Sequence, residues 1–124
     1  MKQHITIEQL NELTPKSKEK LKDWWNPKDG DLFTIADFPN DISVWDKSWE
    51  DRIITGTFNP PILSIGQMIE LIQDNIGTDW SIYFGMNLAF VGREDKDGFW
   101  GQTPENKDGE LCDGLWELVK EILK

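Results

Sequence analysis

Apolar residues recur at helical spacing in the second half of the chain. In residues 65–76 the apolar side chains at positions 65, 68, 69, 72 and 76 share one helical face. Ser64 and Gln67 form a capping box ahead of them, and Gly77 suits the end of the helix. A similar stripe runs through residues 110–123. The pattern predicts two amphipathic helices.

Capping signals predict two shorter helices at the start of the chain. Thr6 and Gln9 form a second capping box. Thr14 followed by Pro15 is typical of an N-cap and the first helical position. This helix should end before Asn26, because the residue that precedes a proline is disfavoured in helical conformation.

Strands are predicted where β-forming residues cluster or alternate with polar ones. Residues 32–35 and 52–58 are rich in β-branched and aromatic side chains. Every even position from 80 to 90 is apolar, which predicts either one long strand or two strands separated by residues 85–87. A turn is predicted at residues 95–98, with a returning strand after it.

The order of these elements favours an α+β fold. Its small, mostly antiparallel sheet should pack on one face against three to four helices. The acidic segment 36–51 is interpreted as a loop with one helical turn. With 124 residues, 38% of them apolar, the chain has the size and composition of a single domain spanning 1–124.

The chain is strongly acidic, with a formal net charge of −10. Residues 1–30 carry six lysines and five acidic residues, whereas residues 31–124 carry seven basic and eighteen acidic ones. Such a surface repels nucleic-acid phosphates and anionic lipids, so neither direct nucleic-acid binding nor membrane binding is expected. The charge suits a basic partner or serves solubility alone. No apolar run approaches the length of a membrane span, so a cytoplasmic protein is expected.

The stretch DWWNPKDGDLF, residues 23–33, combines paired tryptophans with three aspartates around a glycine. It does not fit a calcium loop, because Gly30 in the sixth position would place Trp25 first and Pro27 third, where oxygen ligands are required. Adjacent helical residues also point about 100° apart, so the two indoles cannot form one flat stacking surface. The stretch is interpreted as a turn.

Several segments together resemble small uncharacterised proteins of phages and prophages of Gram-positive bacteria. The similar segments are ITIEQLNEL and KEKLKDWWNPKDGDLF near the start, PPILSIGQMIELI in the middle and ELCDGLWELVKEIL at the end. They cover a little over half of the chain, and residues 34–58 and 78–109 match nothing in that group. The resemblance implies a phage or prophage origin in a bacterial host cell. It supplies no reaction, cofactor or catalytic residue.

The residues favoured for binding lie in two acidic segments, 37–51 and 94–113. The candidates are Trp45, Trp49, Asp95, Asp97 and Trp100. Large aromatic side chains in irregular segments are typical of exposed contact residues.

No catalytic residue, metal ligand or cofactor is predicted. His4 is the only histidine, and Cys112 is expected to be a buried structural thiol because it lies on the apolar side of its helix. The first hypothesis is a non-enzymatic phage or prophage accessory protein that binds a basic host or phage protein through its acidic surface. The alternatives are a metal-dependent hydrolase that uses aspartate clusters, and a structural homo-oligomer.

Overall fold

Helices and antiparallel strand pairs make up the computed structural model of the chain. It describes residues 3–52, 58–77, 81–85, 88–92, 94–95, 98–99 and 111–124. The helices are α1 (Ile7–Leu10), α2 (Pro15–Trp24), α3 (Ile65–Ile76) and α4 (Leu111–Leu123), with a 3-10 helix at Lys47–Arg52. The strands are β1 (Leu32–Ile35), β2 (Phe38–Val44), β3 (Ser81–Gly85), β4 (Leu88–Gly92), β5 (Glu94–Asp95) and β6 (Gly98–Phe99). The predicted α+β class is confirmed.

The strands pair as three antiparallel two-stranded ladders in the part of the chain described: β1 with β2, β3 with β4, and β5 with β6. Of the two alternatives for the period-two region, the structure has two strands, with Gly85 opposite Leu88. Asp95 and Gly98, the first and last residues of the predicted turn, pair in the third ladder, and residues 96–97 lie outside the described residues.

Polar caps set the starts of three helices. Thr6 and Gln9 form the predicted capping box of α1, and Thr14 accepts a hydrogen bond from the Ser17 N–H at the start of α2. In α3, the Ser64 hydroxyl accepts from the Gln67 N–H at 3.1 Å, and the Gln67 side chain accepts from the Ser64 N–H at 2.9 Å. These bonds satisfy backbone donors that have no partner inside the helix.

Two compact units divide the chain: residues 6–63, and residues 1–5 together with 64–124. In the second unit α3 packs against α4, and α4 packs against β4. Cys112 is buried on α4, as predicted. No helix within the described residues is both long and apolar enough to cross a membrane. The assignment of a single domain stays a prediction.

In the unit of residues 6–63, β1 lies between β2 and the segment 58–62. The N–H groups of Asn59 and Ile62 donate to the carbonyls of Thr34 and Leu32, at 2.9 and 2.8 Å. Because strand residues alternate in direction, Phe33 faces the other way and pairs with Ser43 of β2. Of the strand predicted at 52–58, residues 53–57 lie outside the described residues.

The prediction that residues 36–51 form a loop is wrong over β2. The expected helical turn is present as the 3-10 helix. The strand is irregular. Phe38 pairs with Ile35 and Ser43 with Phe33, so four residues of β2 (39–42) lie opposite the single residue Thr34 of β1. This bulge and Pro39 interrupt the regular alternation by which a strand is recognised in sequence.

Gly66 in α3 and Gly77 at its C-cap provide a matched pair for a stability measurement. Gly77 has φ +77° and ψ −154°, a conformation that is almost confined to glycine. We expect Gly77→Ala to destabilise the protein by about 1–2 kcal/mol. Gly66 lies in the first turn, where an added Cβ would meet only the Ser64 hydroxyl, at 3.9 Å. There alanine should stabilise the protein by about 0.5–1 kcal/mol.

Thermal unfolding of the two variants should therefore move the midpoint in opposite directions. Each change adds one methyl group to the same helix, so an effect of side-chain size alone would move both midpoints the same way. Equal shifts would contradict the conformational explanation.

Candidate functional site

The stretch DWWNPKDGDLF connects the end of α2 to β1 through a turn. The Asp31 N–H donates to the Lys28 carbonyl at 3.0 Å, which closes a β-turn whose third residue, Gly30, has φ +95°. The Gly30 N–H donates to the Trp45 carbonyl, and the Trp45 N–H donates to the Asp31 carbonyl. Gly30 and Asp31 thus lie opposite the single residue Trp45, as in a glycine-type β-bulge. The interpretation of this stretch as a turn is confirmed.

The carboxylate of Asp31 has a structural role in this turn. One of its oxygens accepts from the indole N–H of Trp25 at 3.0 Å and from the backbone N–H of Lys28 at 2.9 Å. The first bond supplies a partner for the polar end of a buried tryptophan, and the second stabilises the turn. Asp31 therefore holds Trp25 in place, and the adjacent Trp24, half-buried, packs at the margin of the same core.

Behind this turn, aromatic side chains form the core of the unit of residues 6–63. We define the aromatic cluster as Trp25, Phe33, Trp45, Trp49 and Phe58. Phe33 lies at its centre, with ring centroids at 5.1–5.8 Å from each of the other four members. Most of the rings meet edge to face, the arrangement that the aromatic quadrupole favours.

The prediction that Trp45 is an exposed contact residue is wrong. Only 5% of Trp45 is exposed, because its ring packs against Trp25, Phe33 and Phe58. Trp49 is half-buried, and its indole N–H donates to the Val44 carbonyl at 3.2 Å. The two tryptophans of this acidic segment are therefore explained by their packing in the core, which the segment covers.

The remaining predicted contact residues lie in the other unit. Asp95 belongs to β5, where its backbone pairs with Gly98. Asp97 and Trp100 lie outside the described residues, as does most of the segment 94–113. Their part in binding stays a prediction.

The exposed apolar residues of the unit of residues 6–63 concentrate on β2. Phe38, Ile42 and Val44 are 57%, 53% and 55% exposed. They are the large apolar side chains found exposed within the described residues, and all belong to one seven-residue strand. Single exposed apolar residues are ordinary, whereas several on one element indicate an interaction surface.

Acidic residues surround this strand. From residue 29 to residue 46 the chain has five aspartates and no lysine or arginine. Asp37 and Asp41 are exposed within or beside β2, and Asp46 follows it, where it accepts from the Ser48 N–H. We call Phe38, Ile42 and Val44, with Asp37 and Asp41, the acidic apolar strip.

Within the predicted contact segment 37–51, the large apolar residues that are exposed are Phe38, Ile42 and Val44, and not the two tryptophans. The signal that could have found them is the apolar character of positions 38, 42 and 44, which are all even. In a strand, side chains two residues apart point to the same face, so Ile42 and Val44 share one. Because residues 36–51 were interpreted as a loop, the alternation of side chains along a strand was not applied to them.

Within the described residues, no group of three His, Cys, Asp or Glu side chains is placed so as to hold a metal ion. His4 forms an isolated bridge with Ser64, whose hydroxyl caps α3. No family model, curated protein or solved structure matches the chain. The resemblance to phage and prophage proteins stays a prediction.

Proposed function

We propose that this chain is a non-enzymatic accessory protein, of phage or prophage origin, that binds a basic segment of another protein through the acidic apolar strip. The observation that carries the proposal is the exposure of three large apolar side chains on one strand that is bordered by aspartates. The sequence segments that resemble phage and prophage proteins support this origin.

The composition of the strip determines the partner chemistry. Burial of exposed apolar surface would supply affinity, at roughly 25 cal/mol for each Å² removed from water. Asp37 and Asp41 would attract cations and repel acidic chains, nucleic acids and anionic lipids. A partner segment that carries both lysine or arginine and apolar residues fits both properties.

Binding can be measured by calorimetry with two blocked peptides of identical composition, KLKLKLKL and LKKLLKKL, which favour extended and helical conformations respectively. We expect at least one to bind, and the acidic peptide ELELELEL to fail. Ile42→Thr combined with Val44→Thr keeps the branching at Cβ but replaces an apolar group on each residue by a hydroxyl, and should weaken binding about tenfold. Raising the salt concentration should weaken it further.

The contribution of charge has its own matched control. Asp37→Asn with Asp41→Asn removes two charges from the strip and should weaken peptide binding several-fold. Glu19→Gln with Asp23→Asn removes two charges from exposed positions of α2 and should have a much smaller effect. Equal effects of the two pairs would show that net charge, and not the strip, attracts the peptide, and would overturn the proposal.

A further inference from the structure

The outer edge of β2 carries no strand within the described part of the chain. Its inner edge pairs with β1, where the Trp45 N–H donates to the Asp31 carbonyl and Ser43 lies opposite Phe33. Strand residues alternate in direction, so the N–H of Val44 points away from β1, and so do the N–H and C=O of Ile42. These are the groups to which a further strand would bond.

Trp49 marks one end of this edge. Its indole N–H donates to the Val44 carbonyl, which is thereby occupied. Pro39 lies at the other end, in the bulge. The accessible edge is therefore short and centred on Ile42 and Val44, the same residues whose side chains are exposed.

We infer that the partner segment binds as an added strand along the outer edge of β2, an inference that rests on the proposed function. The exposed side chains of β2 determine which partner sequence can be added beside it. Ile42 and Val44 are two residues apart and share one face, and Asp41, within the bulge, is exposed beside them. An added strand with apolar residues on that face and lysine or arginine at the intervening positions would meet both the apolar and the acidic side chains. The occupant is therefore an extended segment in which apolar and basic residues alternate.

Amide hydrogen exchange measured by NMR on the full chain tests this mode. We expect KLKLKLKL to bind more tightly than LKKLLKKL, because only the alternating sequence matches both faces of an added strand. At nine-tenths saturation with KLKLKLKL, exchange at the Ile42 and Val44 amides should slow about tenfold, since only the free protein then exchanges. The amides of Glu19 and Asp23 in α2, which lie outside the strip, should be little affected and serve as the internal control.

The outcomes separate this inference from the proposed function. Slowed exchange at Ile42 and Val44 supports strand addition. Binding that shifts the side-chain signals of β2 without slowing those amides overturns strand addition and leaves the proposed function standing. If LKKLLKKL binds more tightly, and its binding is weakened by the Ile42 and Val44 substitutions, strand addition is likewise overturned and the proposed function stands. If neither peptide binds, both are overturned.

Discussion

Replacing Phe33 with alanine is expected to lower the free energy of unfolding by about 3–5 kcal/mol. Phe33 is completely buried and lies at the centre of the aromatic cluster, so the substitution removes a ring that contacts four others. The loss combines the transfer free energy of the ring with the cost of the cavity that remains. Urea unfolding followed by tryptophan fluorescence measures it, since three tryptophans touch this ring.

Phe38→Ala is the matched control, because it removes the same side chain from the other strand of the same hairpin. Phe38 is 57% exposed, so its loss should change the free energy of unfolding by about 0.5 kcal/mol or less. A similar loss of stability in both variants would contradict the assignment of Phe33 to the core and Phe38 to the surface.

Replacing Asp31 with alanine is expected to cost about 2–3 kcal/mol. The substitution removes the acceptor of two hydrogen bonds and leaves the indole N–H of the buried Trp25 without its carboxylate partner. A buried donor that loses its partner carries a desolvation penalty, which adds to the loss of the bond. Urea unfolding measures the change.

Asp29→Ala is the control for charge, since Asp29 lies two residues away in the same turn and is exposed. Both substitutions remove one negative charge, so a purely electrostatic effect would be similar in the two variants. We expect Asp29→Ala to change stability by less than about 0.5 kcal/mol. Equal losses would show that the hydrogen bonds of Asp31 contribute little.

The helices could be predicted from sequence because their signals are local. A capping box requires only residues three positions apart, and Ser64 with Gln67 defines the start of α3 without any reference to the rest of the protein. The turn at Gly30 was also readable, since few residues other than glycine adopt positive φ. Both kinds of signal depend on backbone conformation within a few residues.

The exposed apolar surface of β2 was less predictable because it depends on which residues are covered. Trp45 and Phe38 lie in the same acidic segment, yet Trp45 is buried and Phe38 exposed. That difference arises from packing against β1 and Trp25, which are not adjacent to Trp45 in sequence. The bulge in β2 added to the difficulty, since it disrupts the period-two pattern that identifies strands.

The outer edge of β2, which pairs with no strand in the described part of the chain, also bears on how copies of this protein behave toward each other. An exposed apolar edge strand is the usual starting point for aggregation through strand pairing. Two copies of β2 placed side by side would bring together like charges, which destabilise such pairing. Pro39 and the bulge disturb it further. The aspartates that would attract a cationic segment thus also oppose self-assembly. Replacing them with asparagine for a binding experiment should therefore lower the highest protein concentration at which the sample stays monodisperse.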